Sequence, residues 1–79
     1  MTTVDQLVLD ENNTAFHPMM GNSYQLNDIS KEILILLKHH KTKEEIIDVL
    51  HTKYAISKNE LFIDVSDFLT KLNIYGLLG

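Results

Sequence analysis

The chain has no cysteine and no arginine among its 79 residues, and only three glycines. Without cysteine there can be no disulfide staple, no thiolate nucleophile and no cysteine-ligated zinc or iron–sulfur site, and a reducing, cytoplasmic setting is expected. All seven basic residues are lysines and the formal net charge is -4. Nucleic-acid binders concentrate positive charge and use arginine forks on phosphates and guanine edges, so no nucleic-acid partner is expected. Gly21, Gly76 and Gly79 stand alone at turns or ends, and no glycine-rich loop could cradle a phosphate. The longest unbroken apolar run, Ile33 to Leu37, is far short of a membrane span, and the N-terminus lacks a basic start followed by an apolar stretch. No membrane association and no export route are expected.

What is present suits a small folded module. The hydrophobic fraction of 44% and charged fraction of 23% are those of an ordinary globular domain. A chain this short buries only roughly 60 to 65% of the surface its unfolded form exposes, which argues for one domain over residues 1–79 and against a large enclosed active site. Charge is uneven: residues 1–28 hold Asp5, Asp10, Glu11 and Asp28 with no lysine, whereas residues 31–45 hold four lysines and three glutamates.

"QLVLD", "TAFH" and "SYQLN" read as three short strands separated by the turn formers "ENN" and "PMMGN", which predicts an antiparallel meander. In the third strand Tyr24 and Leu26 share one face while Ser23 and Gln25 point the other way. Asn27 or Asp28 then caps a first helix with Ile29, Ile33, Leu36 and Leu37 at helical spacing. Thr42 and Glu45 form a capping box before a second helix, whose stripe is Ile46, Ile47, Val49, Leu50 and Tyr54. Ser57 and Glu60 repeat that device, opening a third helix to about Tyr75 that stops at Gly76. Leu61, Val65, Phe68 and Leu72 make its core stripe, with Phe62 and Leu69 on one shoulder and Asp64, Asp67 and Lys71 on the other. The fold class is α+β: a three-stranded antiparallel sheet followed by three helices, winged helix-turn-helix-like in outline.

Chemistry finds little to work with. His39 and His40 are adjacent on a helix end and point about 100° apart, poor geometry for one metal, and His51 lies eleven residues further on. These histidines, with His17, read as capping or charged groups, and no metal or other cofactor is implied. Ser23, Ser30, Ser57 and Ser66 lack any nucleophile-elbow pattern. Asp64 and Asp67 read as a solvated helix face rather than an acid–base pair. No catalytic residue is expected.

A peptide groove remains. If the third strand lies at the sheet edge beside the third helix, its free backbone groups can accept an extended peptide as a further strand, with the Phe62 and Leu69 shoulder receiving peptide side chains. Each of those two residues also has a plainer reading as part of the core. A rival reading is a winged-helix DNA-binding or regulatory protein. It would present Asn59, Ile63, Asp67, Thr70 and Ile74 to a major groove, a poor set for bases and phosphates. A third is a structural interaction domain that binds a folded partner through the same apolar shoulder.

Several linked stretches, "GNSYQLNDISKEILILL", "KTKEEIIDVLHTKY" and "DVSDFLTKLNIYGLL", together resemble the PqqD-like family of peptide chaperones, also called RiPP recognition elements. RiPPs are ribosomally made, post-translationally modified peptides. The resemblance covers roughly residues 14–78. It implies a non-catalytic domain that binds the leader segment of a precursor peptide against the third strand. The domain would present that peptide to a modifying enzyme such as a radical SAM maturase or a leader peptidase. Carried onto this chain, Ser23, Tyr24, Gln25 and Leu26 pair with the leader, and Phe62, Ser66, Leu69 and Asn73 form the helical wall. The "DV" of Asp64 and Val65 matches the family. "AFHPMMGNSY" departs from it where many relatives carry an acidic residue before the glycine. An unpaired sheet edge would also allow a homodimer.

Overall fold

The computed structural model describes residues 4–77. A 3-10 turn, Val4–Gln6, leads into three strands, β1 (Val8–Leu9), β2 (Thr14–Phe16) and β3 (Ser23–Gln25), and then into helices α1 (Asp28–Lys38), α2 (Lys43–Tyr54) and α3 (Lys58–Ile74). The strands form an antiparallel meander in the order β1-β2-β3, with Ala15 opposite Leu9 and Tyr24. The fold is α+β, and winged helix-turn-helix describes its order only loosely.

β1 is shorter than the five residues expected of it. Leu7 is buried and its N–H bonds to the Val4 carbonyl at 3.1 Å, so Gln6 and Leu7 close a turn instead of extending a strand. At the other end Asp10 Oδ1 accepts from the amides of Asn12 (2.9 Å) and Thr14 (3.0 Å), a side-chain turn that ends the strand before the hairpin.

Each helix starts at its expected cap. Asn27 Oδ1 accepts from Ser30 N at 2.7 Å, and Thr42 and Glu45 exchange reciprocal bonds of 3.2 and 2.8 Å. Ser57 Oγ accepts from Glu60 N at 3.2 Å. α3 ends in a Schellman turn: Gly76 has φ +74°, its N–H bonds to Asn73 O and that of Leu77 to Leu72 O. The turn sends Leu77 back into the core.

That core gathers Leu7 and Ala15 from the sheet side, Ile33 and Leu34 from α1, Ile46 and Leu50 from α2, and Leu61, Val65, Phe68 and Leu72 from α3. The α2 stripe is narrower than expected, because Val49 and Tyr54 are 40% and 37% exposed. Tyr54 instead donates its hydroxyl to Glu32 Oε2 at 3.1 Å, alongside the Lys53 ammonium at 3.0 Å. Ala55 takes the left-handed conformation (φ 56°) at the α2–α3 turn, and His51 Nδ1 closes that turn by donating to Ile56 O at 2.7 Å.

Candidate functional site

β3 is a sheet edge, and its pairing with β2 decides which of its backbone groups are free. Leu26 N bonds to Asn13 O at 2.8 Å and His17 N to Asn22 O at 2.9 Å. In an antiparallel pair every second residue faces its partner with both backbone groups, so Asn22, Tyr24 and Leu26 turn theirs toward β2. Ser23 and Gln25 therefore present N–H and C=O outward, where nothing in the sheet receives them. Tyr24 and Leu26, half-buried, send their side chains against the core.

Beside this edge lies an open depression of about 270 Å³. Ser23, Tyr24, Gln25 and Leu26 line it from β3, and Phe68, Lys71, Leu72 and Tyr75 from α3. Leu7, Ala15 and Leu34 complete its apolar floor. At one end the Tyr24 and Tyr75 rings stack, with centroids 4.7 Å apart and planes 27° from parallel. Toward α1 it meets a second depression of about 250 Å³, shared at Ser30, Phe68 and Lys71 and lined further by Asn27, Ile29, Asp64 and Asp67. β3 and α3 thus run in opposite directions along the groove.

The strand half of the expected site lies on this groove. The helical half does not: none of Phe62, Ser66, Leu69 and Asn73 lines either depression. Phe62 sits under the Lys43 ammonium of α2, 3.9 Å from the ring centroid, and Leu69 packs on the core. The turn between α2 and α3 is so short that α2 must lie along one shoulder of α3, and the apolar shoulder is the one it takes. The short connection signals that α2 and α3 are neighbours, and the shoulder left open toward β3 is the one carrying Lys71. Phe68 and Leu72, assigned to the core alone, and Tyr75, assigned to the helix end, also face the groove.

The remaining candidates are structural in their contacts. His17 is buried: its Nδ1 accepts from Met20 N at 3.2 Å and its Nε2 donates to Gln6 Oε1 at 3.0 Å, which ties the β2–β3 turn to the chain's start. His39 is the α1 C-cap, and His40 follows with φ 63°. Among the described residues no group of three or more histidine, aspartate or glutamate side chains could hold a metal ion. No described helix is long and apolar enough to cross a membrane.

Residues 5–78 match the family model of coenzyme PQQ synthesis protein D, PqqD. The chain belongs to the PqqD family. Among solved structures, this PqqD domain is similar to TbiB1 in complex with the TbiA(beta) leader peptide. The TM-score is 0.81 and the identity 27%, over 99% of this chain and 94% of that one. Lasso peptide synthetase B1 complexed with the leader peptide shares the fold at TM-score 0.77 and 18% identity, over 90% of this chain and 85% of that one. No curated protein sequence matches it.

Proposed function

We propose that this PqqD-family domain is a peptide chaperone that binds the leader segment of a ribosomally made precursor by strand addition at β3. The observation that carries this reading is the outward-facing backbone of Ser23 and Gln25 beside an apolar-floored groove. Its support is the family and the 27% identical TbiB1, whose structure contains a leader peptide. The peptide adds a fourth strand, its N–H and C=O groups meeting those of Ser23 and Gln25. Its alternate side chains enter the groove between β3 and the Phe68, Lys71 and Tyr75 face of α3.

Two or three buried apolar side chains at roughly 1.5 to 3 kcal/mol each, with the strand hydrogen bonds, offset the ordering of a flexible leader. An affinity near micromolar, about 8 kcal/mol, follows. The domain does no chemistry itself. It raises the effective concentration of the leader's distal core at a modifying enzyme, a radical SAM maturase or a leader peptidase, that engages the same domain.

The test is a backbone amide NMR titration of the labelled protein with a synthetic leader from a precursor encoded beside its gene, repeated with duplex DNA. Saturable shifts confined to residues 22–27 and 64–77 with the peptide alone are expected. Absence of a peptide response overturns the reading, and shifts along α3 on adding DNA would put the winged-helix alternative in its place.

A further inference from the structure

The depression beside β3 contains one charged side chain, Lys71. Around it the lining is apolar, aromatic or neutral polar, in a chain whose net charge is -4. Four other lysines have partners: Lys53 pairs with Glu32, Lys58 with Asp48, Lys43 covers the Phe62 ring and Lys38 donates to Leu7 O, while Lys31 and Lys41 do not line this depression. The Lys71 ammonium has neither an ion pair nor a hydrogen bond among the described residues, although Asp67 precedes it by four residues on the same helix. A cation that is the only charged group lining this depression among the described residues is a selector for a carboxylate.

The position of that selection is also fixed. Tyr24 and Tyr75 mark one end of the groove, Lys71 its middle, and Asp67 and Asp64 the far end beside Asn27. Four helical residues advance about 6 Å, and two strand residues about 6.6 to 6.8 Å. Consecutive groove-facing residues of an added strand therefore match Tyr75, Lys71 and Asp67 in turn. A carboxylate one step beyond Lys71 would meet Asp67 and be repelled.

We propose that Lys71 is the residue that sets peptide specificity. The groove takes an extended segment that places an aspartate or glutamate over Lys71, two residues from an apolar side chain lodged beside Tyr24 and Tyr75. This rests on the strand-addition reading above and adds to it a charge and a register.

The test is selection of a displayed library of random twelve-residue peptides on the wild-type protein, on Lys71→Glu and on Lys71→Gln. Lys71 is exposed on a helix surface, so the variants should melt as the wild type does by circular dichroism, and Lys71→Gln serves should the reversal fail to fold. Wild-type selection should enrich aspartate or glutamate at one position, two residues from a shared apolar residue. Lys71→Glu should replace it there by lysine or arginine, and Lys71→Gln should keep the apolar residue and lose the charge preference. For a selected peptide, glutamate to glutamine should weaken wild-type binding about two- to fivefold, as for an exposed ion pair, an effect that about 0.5 M salt removes. Pools enriched in apolar residues but with the same charge pattern on all three proteins overturn the role of Lys71 and leave strand addition standing. No enrichment on the wild type overturns strand addition and this proposal with it.

Discussion

One shoulder of α3 carries Phe62, Ser66, Leu69 and Asn73, and the other Asp64, Asp67 and Lys71. The first is the more apolar, and it is partly engaged within the fold: Phe62, still 54% exposed, has the Lys43 ammonium of α2 over its ring, Leu69 packs on the core and Ser66 Oγ is buried. The second is charged, and it borders the two depressions beside β3 and α1. In a small domain an apolar shoulder on a helix first reflects the neighbouring helix that it packs beside. A groove needs apolar floor but open walls, and here the floor comes from Phe68 and Leu72 of the core stripe itself. The two shoulders therefore respond differently to mutation, and the sharpest tests set one against the other.

The largest effect is expected at the boundary between them. Phe68 is 8% exposed, belongs to the core and lines both depressions. Phe68→Ala should destabilise the domain by about 3 to 5 kcal/mol, measured by urea unfolding. A loss below about 1 kcal/mol would mean that the groove floor is separable from the core, against the packing described above.

Next comes the edge of β3, where alternate residues do different work. Gln25→Pro removes an outward N–H and should weaken leader binding by at least about tenfold, a lost hydrogen bond plus a local misfit. The β2 ladder should survive, since proline is tolerated where the N–H faces away from the sheet. Tyr24→Pro removes an inward N–H and should lower the melting temperature more than Gln25→Pro does. Gln25→Val, which changes the side chain only, should leave affinity within about twofold if backbone pairing is what matters. Equal loss in Gln25→Val and Gln25→Pro would contradict strand addition.

A direct comparison of the shoulders follows. Tyr75→Ala removes the ring stacked on Tyr24 and should weaken peptide binding about five- to tenfold, the scale of an aromatic contact. Phe62→Ala should leave affinity within about twofold, while lowering stability by about 0.5 to 1 kcal/mol through the lost Lys43 contact. Calorimetry with the same peptide checks both, and the reverse ranking would restore Phe62 to the binding wall.

Local signals explain how much of this is legible in the sequence. Asn27, Thr42, Ser57 and Gly76 act on backbone groups within a few residues, so helix starts and the last stop could be read from spacing alone. The period-2 pattern of β3 likewise puts Tyr24 and Leu26 on one face, the face that the structure turns to the core. The α3 shoulder facing β3 could not be read from a helical projection, which fixes angles around one helix but not which neighbour occupies each side. Val49 and Tyr54 fail for a related reason: they have helical spacing, yet α2 meets its neighbours over a face only as wide as Ile46, Ile47 and Leu50. β1 was overestimated because Leu7, apolar and in register, is buried from a turn.

A smaller effect is expected on the apolar shoulder. Ser66 Oγ is buried with no hydrogen-bond partner among the described residues. Ser66→Ala removes that unsatisfied hydroxyl and installs a better helix former, so it should stabilise the domain by about 0.5 to 1 kcal/mol. Because Ser66 lies off the groove, peptide affinity should be unchanged. Destabilisation by the same substitution would show that the hydroxyl has a partner in solution.

The smallest effect belongs to the side of α1 that faces α2, away from the groove. The hydrogen bond from Lys53, with a second from Tyr54, holds the Glu32 carboxyl below its ordinary value of 4.5, and the same bond raises the Lys53 ammonium. A depressed carboxylate pKa contributes stability that is present above the unfolded value and disappears as pH falls through the folded one. Wild type should therefore melt slightly above Glu32→Gln at pH 7, and the two should converge as pH falls below 4.5 through the depressed value. The pair is partly exposed, so added salt should also narrow the gap at pH 7. Peptide affinity should be the same for both proteins at pH 7, because none of Glu32, Lys53 and Tyr54 lines the groove. A gap that persists unchanged at pH 3 would mean that Glu32 acts through its packing rather than its charge.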